Sequence, residues 1–394
     1  MGKRAQHKER HTKKKSGGAS EALPVLSSLE GIPSFLELLP SEEQKDVFAA
    51  SAERFAAEEE VGVSEYELGC VVRLDRGFPA VLTADRLVRA EFSAALTKER
   101  YSKVAVGDWV CLRCPEGHDG ALLEEILPRT SAIERWRGGS RGEKQTLAAN
   151  VGLVLVAQAL GPDPIRCDRL VRSAVIVRDC GAAVAVVLTK ADRCGGPDRL
   201  KQDIARVQEL LGHEVPIVVT AAAGEGPTDD LADAACAEGV QWGTEGVVSL
   251  VHDGIVAMVL GESGAGKSTL LNALLGKDLL RTGEVRQSDD AGRHTTVSRR
   301  MVELPQGGVI VDMPGLRSLP LVGHERGLAK VFPDIAGYAV SCRFRDCSHT
   351  HEPGCAVRAA LADGAFSQER YDAYVALARE MRESAETLDP DIVI

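Results

Sequence analysis

The spacing of apolar and polar positions divides the chain into zones. Residues 41–60, SEEQKDVFAASAERFAAEEE, read as a helix with Ser41 and Gln44 as its capping box. From about 65 to 128 the texture changes to short extended runs: ELGCVVRLD, FPAVLTA, RLVRAEFS, GDWVCLR and GALLEEIL. Glycine or charged turns separate them. Five short strands in so little chain predict a small β-barrel of the OB type. Cys111 and Cys114 fall in this zone. An odd offset on a strand sends their side chains to opposite faces, so two ordinary cysteines are expected rather than a metal pair.

The next stretch, LPRTSAIERWRGGSRGEKQT (127–146), is basic and glycine-containing and reads as a linker. Beyond it come the apolar runs VGLVLVAQAL, GAAVAVVLT, EVPIVVTA, GIVAMVLG and GGVIVDMPG, with amphipathic helices such as PDRLKQDIARVQELLG between some of them. Continuous Val, Ile and Leu runs alternating with helices predict a mainly parallel sheet covered on both faces. The expected organisation is a basic arm and helical segment at 1–64, an OB-fold barrel at 65–130, a linker at 131–147, an α/β domain at 148–322 and a helical metal-binding domain at 323–394.

Composition narrows this picture. The chain has 394 residues, enough for two or three domains, and 44% of them are apolar. No apolar run approaches membrane-spanning length, and no apolar segment follows the N-terminal charges. The ten cysteines are scattered apart from one cluster, which points to a reducing cytoplasm rather than a disulfide framework. The net charge of −11 hides an asymmetry: residues 1–15 carry seven Lys or Arg against one Glu, +6, which leaves −17 for the rest. Such an arm is expected on an RNA or phosphate backbone. If all seven cations met single-stranded RNA, log affinity would fall with log salt at a slope near about −5. A solvated tail is the alternative.

The candidate chemistry sits where loops leave the carboxyl ends of the predicted strands, the position at which open α/β sheets bind ligands. GESGAGKS, Gly261 to Ser268, fits the phosphate-binding pattern Gly-x4-Gly-Lys-Ser/Thr. Gly261, Glu262, Ser263, Gly264, Ala265 and Gly266 supply backbone N–H groups to phosphate oxygens. Lys267 supplies a point charge to the β- and γ-phosphates, the Ser268 hydroxyl ligates Mg²⁺, and Thr269 continues the helix whose positive end faces the anion. DMPG (312–315) suits a water-mediated Mg²⁺ contact by Asp312 and a γ-phosphate contact by the Gly315 N–H. In GRHTT (292–296), Thr295 and Thr296 are placed to close over the nucleotide, Thr296 as a second Mg²⁺ ligand. TKAD supplies Thr189, Lys190 and Asp192. Its carboxylate can accept both N1–H and N2–H₂ of guanine, which adenine does not offer. Thr220 and Ala221 end the next strand, with the Ala221 N–H facing guanine O6. The base-reading motifs therefore precede the phosphate loop, an order that defines a circular permutation, which is tolerable because domain termini often lie close together.

The segment after DMPG leads into CRFRDCSHTHEPGC (342–355). Cys342, Cys347, His349 and Cys355 make a closed set suited to structural zinc, with His351 as the competing imidazole. Metal binding can contribute on the order of 10 kcal/mol to folding so small a segment. The tail SQERYDAYVALAREMRESAETL reads as an amphipathic helix over that site.

From GDWV to YDAYVAL the chain resembles the ribosome small-subunit-dependent GTPase A family, circularly permuted GTPases of late small-subunit assembly. The resemblance rests on the permuted motif order, GESGAGKSTLLNALLG, GRHTT, DMPG and the cysteine–histidine segment through EPGCAV. It implies an OB barrel, a permuted GTPase domain and a C-terminal zinc domain, in a cytoplasmic monomer that binds GTP and GDP, the small ribosomal subunit and its rRNA, and no membrane. Hydrolysis stimulated by the subunit is implied too. Leu316 stands where many GTPases carry a water-orienting glutamine, so the family's candidate for that role is His294. Positioning of the water by rRNA or potassium is the alternative. Two departures stand out: Thr189 replaces the family's usual Asn, and Gly152 stands where the family tends to have Asp. The competing functional reading is a GTP-gated rRNA-binding scaffold with little hydrolysis. An ATP-dependent enzyme would make TKAD accidental.

Overall fold

The structure, a computed structural model, describes residue 26 and residues 29–75, 78–98, 104–115, 120–137, 143–221, 229–276, 299–312, 321 and 323–388. The basic arm therefore lies outside the described residues. The first helix, α1 (Glu42–Glu59), starts on the capping box that the sequence predicts. Ser41 Oγ accepts from the Gln44 N–H at 3.2 Å, and Gln44 Oε1 accepts from the Ser41 N–H at 2.9 Å.

The barrel is built from β1 (Tyr66–Asp75), β2 (Phe78–Thr83), β3 (Leu87–Phe92), β4 (Trp109–Arg113) and β5 (Ala121–Ile126), with a short helix α2 (Ala94–Lys98) after β3. Its strands run in the order β1-β2-β3-β5-β4 and close by pairing of β4 with β1. Val72, Val81, Val110, Leu112 and Leu123 are fully buried in its core. Cys111 instead packs with Ala52, Ala56 and Tyr66 under α1, and burial pushes its thiol up to about 12. Cys114 is half-buried, and both thiols are free.

The stretch expected to be a linker is an antiparallel hairpin, β6 (Ala132–Arg137) with β7 (Glu143–Ala149). Its glycines, at 138, 139 and 142, lie outside the described residues. What holds it is burial of Ile133 on one strand and Leu147 and Ala148 on the other.

The α/β portion follows in chain order as β8 (Leu153–Ala159), α3 (Cys167–Asp179), β9 (Ala183–Thr189), α4 (Pro197–Leu211), β10 (Ile217–Val219), α5 (Asp229–Ala237), β11 (Gln241–Trp242), α6 (Gly243–Leu250), β12 (Val256–Leu260), α7 (Lys267–Leu275), β13 (Arg299–Glu303) and β14 (Val309–Asp312). The strand order is β11-β10-β9-β8-β12-β14-β13, parallel except at β13. Leu155, Val186, Leu188, Val218 and Met258 are fully buried, as two-sided helix cover demands. The edge strands β11 and β13 are not evident in the sequence: one has two residues, and the other is the charged RRMVE. Four helices end the described chain: α8 (Glu325–Val331), α9 (Pro333–Ala339), α10 (Ala356–Ala362) and α11 (Gln368–Leu388). No described helix is long and apolar enough to cross a membrane.

The two sheets are continuous. Arg73 and Leu74 of β1 pair antiparallel with Arg300 and Arg299 of β13, joining barrel and α/β sheet into twelve strands. A polar knot braces the same junction. Asn150 adopts a left-handed φ of 53°, which Asn tolerates better than most residues. Its Oδ1 accepts from Gln44 Nε2 at 3.0 Å, the Thr130 N–H at 2.9 Å and Thr130 Oγ1 at 3.1 Å, and its Nδ2 donates to the Gly107 carbonyl at 2.8 Å. One side chain thus ties α1, the barrel and the entry to β8. Beside it Arg129 forms a two-pronged pair with the fully buried Asp108, at 2.7 and 2.8 Å.

Asn150→Ala strands several of these partners and imposes a left-handed backbone on alanine. The expected loss is about 2–3 kcal/mol of unfolding free energy, read as a lower urea midpoint.

Candidate nucleotide site and metal centre

The phosphate loop joins β12 to α7. Gly264 and Gly266 hold φ of 83° and 79°, values that side chains resist, and Gly266 caps the helix. A Cβ on Gly261 would lie 2.5 Å from the Ala157 carbonyl oxygen, so β8 packs directly under the start of the loop. Lys267 Nζ donates to the Gly261 and Glu262 carbonyls at 2.6 Å each, which folds its stem back over the loop. Ser263, Ala265, Ser268 and Thr269 complete the loop and the first turn of α7. An arched loop of backbone N–H groups, a lysine curled over it and a helix N-terminus behind it form a cradle for phosphate.

The two candidate base-reading motifs stand beside that cradle. Thr189 ends β9 and is 4% exposed. Its hydroxyl donates to the Ala265 carbonyl at 2.8 Å, across the sheet and into the phosphate loop. The substitution of Thr for Asn therefore retains one loop-tying hydrogen bond. Lys190 takes a left-handed φ of 59°, and its Cε would lie 3.8 Å from a Cβ on Gly266, so its stem runs along the loop. Asp192 follows with a half-buried side chain, its carboxylate 3.9 Å from the Arg193 guanidinium. Thr220 directly follows β10, and its carbonyl accepts from the Ala191 N–H at 3.2 Å. Its hydroxyl is buried without a partner, an open valence next to the candidate base site. Ala221 is half-buried beside it.

Asp312 ends β14, and its carboxylate lies 3.6 Å from the Arg300 guanidinium on β13. His294, Thr295, Thr296, Gly315 and Leu316 lie outside the described residues. Gly152 is exposed, and a Cβ there would meet nothing closer than 3.8 Å, so the fold would accept a side chain at that position.

The sequence reading missed one contact at the loop. Arg169, in the first turn of α3, forms an ion pair with the Glu262 carboxylate. The partners lie on different elements far apart in sequence, and no motif announces the pair.

The second centre is the cluster of Cys342, Cys347, His349 and Cys355, whose ligand atoms all lie within 4.8 Å of one another. His349 Nδ1 lies 3.5 Å from the sulfurs of both Cys342 and Cys355, and those sulfurs are 3.9 Å apart. This group can hold a metal ion. His351 is exposed and outside the cluster, with its ring beside Thr350 Oγ1. Burial, with help from the Arg382 charge, keeps the His349 pKa below its ordinary value, so the ring is neutral and its lone pair is available near neutral pH. His349 has a positive φ of 63°, and the Tyr371 hydroxyl of α11 donates to its carbonyl at 2.6 Å. Glu352 accepts from the N–H groups of Ser348, Thr350 and His351 and shapes the loop between the ligands. Side-chain and backbone hydrogen bonds from Ser348 hold its carboxyl well below the usual range.

Helix α11 also fastens this centre to the α/β portion. Arg370 pairs with Asp334 at 2.7 and 3.0 Å, donates to the carbonyls of Val331 and Leu210, and lies over the Phe332 ring. Arg206 pairs with Glu369, and Arg172 of α3 pairs with Glu380 at 2.6 Å.

These elements define a class: a P-loop nucleotide-binding fold whose candidate base-reading segments precede its phosphate loop, with an OB-type barrel before it and, after it, a helical segment whose cysteine–histidine cluster can hold a metal ion. Comparison with known proteins agrees. The sequence profile of the RsgA GTPase family matches residues 126–322. A Streptomyces avermitilis protein named small ribosomal subunit biogenesis GTPase RsgA is 40% identical over 313 residues, 79% of each chain. A Leptospira interrogans protein of that name is 38% identical over 304 residues, 76% of this chain and 78% of the other. Among solved structures, YjeQ from Thermotoga maritima aligns with a TM-score of 0.56 at 21% identity over 80% of this chain and 99% of that one. YloQ, described as a circularly permuted GTPase, aligns with a TM-score of 0.55 at 22% identity over 81% of this chain and 96% of that one. The chain belongs to the RsgA GTPase family, and its fold is that of the circularly permuted GTPases.

Cys355→Ala removes one ligand and the side-chain cap of α10 together. Elemental analysis of the purified protein is expected to fall from about one transition-metal ion per chain to a small fraction of that. His351→Ala is expected to leave the metal content unchanged.

Proposed function

We propose that this protein binds guanine nucleotides, docks on the small ribosomal subunit through its rRNA, and hydrolyses GTP there during subunit maturation. The observation that carries the nucleotide reading is the Thr189 hydroxyl bound to the Ala265 carbonyl, which sets Thr-Lys-x-Asp against the phosphate loop. In this reading Thr189 and Lys190 brace the base pocket, Asp192 accepts from guanine N1–H and N2–H₂, and Thr220 and Ala221 line its O6 side. Gly261 to Gly266 wrap the phosphates, and Lys267 turns from the loop carbonyls to phosphate oxygens. Ser268 and Thr296 would hold Mg²⁺, with Asp312 behind its waters, and the bound ion would neutralise charge on the β- and γ-oxygens. The Gly315 N–H would meet the γ-phosphate, and His294 would orient the attacking water.

We assign the second centre to structural zinc. For zinc–sulfur bonds near 2.3 Å, the tetrahedral sulfur–sulfur edge is about 3.8 Å, close to the 3.9 Å between Cys342 and Cys355. Three thiolates and one imidazole leave no open coordination position, so the ion's role is to hold this segment folded. The ribosomal partner is inferred from the relatives' names, the OB-type barrel and the basic arm, and the same inference places the protein in the cytoplasm.

The test is GTP turnover with and without small subunits, in the natural protein and in His294→Ala. Stimulation by a factor of about 10³ or more that is lost in the variant is the expected result. Stimulation kept in the variant would remove the role given to His294. Absence of stimulation would favour a GTP-gated scaffold, the reading that Leu316 in place of a polar side chain otherwise supports.

Thr189→Val keeps the shape and deletes the hydroxyl. The Ala265 carbonyl then loses a buried donor, and the GDP dissociation constant is expected to rise about tenfold, as measured by fluorescent-nucleotide titration.

A further inference from the structure

The Glu262–Arg169 ion pair places a guanidinium one glutamate side chain away from the backbone of the phosphate loop. Both partners are half-exposed, and such pairs contribute roughly 0–1 kcal/mol. The guanidinium can therefore exchange its partner readily. A triphosphate in the loop offers a stronger one, because a planar guanidinium bonds phosphate oxygens through two parallel charge-assisted hydrogen bonds. Lys267 is parked on the same residue, its ammonium on the Glu262 carbonyl. Glu262 thus gathers two cations at the edge of the phosphate cradle.

The helix that carries Arg169 is firmly held. One turn along α3, Arg172 pairs with Glu380 of α11 at 2.6 Å. At its far end Asp179 accepts from the Gly327 N–H at 3.0 Å and faces His324 Nδ1 at 3.0 Å. Arg169 is therefore delivered to the loop by a helix clamped to the C-terminal segment.

We propose that Arg169 is a catalytic arginine supplied in cis, an inference that rests on the GTP hydrolase reading. In this structure it is held by Glu262. With GTP bound it moves to a γ-phosphate oxygen as the transition state forms. A water oxygen bonds to the γ-phosphorus while the bridging P–O bond breaks and leaves its electron pair on the GDP oxygen. The water's proton passes to the departing phosphate. The guanidinium stabilises the negative charge shared between bridging and γ-oxygens during that exchange, and the apolar Leu316 in the switch sequence supplies no such charge.

The experiment compares the full-length natural protein with Arg169→Ala and Arg169→Lys in three measurements: GDP affinity, the gain in GDP affinity caused by aluminium fluoride, and GTP turnover on small subunits. In Arg169→Ala, GDP affinity is expected to stay within about threefold, which also shows that the variant folds, while the aluminium fluoride gain and kcat each fall at least about tenfold. Arg169→Lys keeps the charge without the planar fork and is expected to recover only part of either loss. The proposal is overturned if Arg169→Ala keeps both the fluoride gain and kcat. It is equally overturned if GDP affinity drops in proportion to turnover, because Arg169 would then only brace the loop. Failure of the natural protein to turn over GTP would count against the hydrolase reading and its in-cis arginine together. The ratio of variant to natural protein in the fluoride gain tests Arg169 separately from that reading.

Discussion

The pairing of β1 with β13 is the constraint on which the rest of the molecule depends. Two residues on each strand, Arg73 and Leu74 with Arg300 and Arg299, make the barrel and the nucleotide-binding sheet one hydrogen-bonded surface. In sequence β13 lies between the GRHTT and DMPG motifs, so the barrel is attached to the strand between the two motifs expected to sense the γ-phosphate. Charge follows the same line: Asp312 faces Arg300, Arg300 is the cross-strand partner of Arg73, and Arg73 and Arg89 share the buried Asp75. A change at Asp312 on nucleotide binding would be felt first at this seam.

The permutation gives the other end of the molecule a comparable role. Because β14 is the last strand in chain order, the sequence that follows it leads to α8 and the cysteine–histidine segment. That segment then returns to the α/β portion through Arg370 against Asp334 and through Arg172 and Glu380 between α3 and α11. The barrel joins the sheet at its β13 edge, and the C-terminal segment is tied to the helix that carries Arg169. A partner that grips both ends would hold the phosphate loop between them.

Much of this was legible in the sequence because the relevant physics is local. Each barrel strand and each central parallel strand is an apolar run bounded by turn residues, and the phosphate loop and cysteine ligands are contiguous motifs. The failures are non-local. RRMVE is a strand only because β14 and β1 flank it, and the 131–147 segment is a hairpin because Ile133 and Leu147 find a common core. Spacing did not exclude His351 as a competitor to His349, whereas the fold buries the expected ligand His349 among the thiols and leaves His351 exposed. The sequence alone could not say whether Thr189 does the work of Asn. The structure shows its hydroxyl reaching the loop from a buried strand end. The pairing of Arg169 with Glu262 carries no sequence signal at all.

The central proposal is that this protein binds GTP and works on the small ribosomal subunit, and a GTPase that acts there is expected to engage the subunit according to its nucleotide state. It is tested most directly by measuring the affinity of the protein for purified small subunits in three states: nucleotide-free, with GDP, and with a non-hydrolysable GTP analogue. The account predicts tight binding with the analogue and binding at least about tenfold weaker with GDP, a coupling near 1.4 kcal/mol. Equal affinity in all three states would contradict it, because the nucleotide would then have no differential contact through which to act.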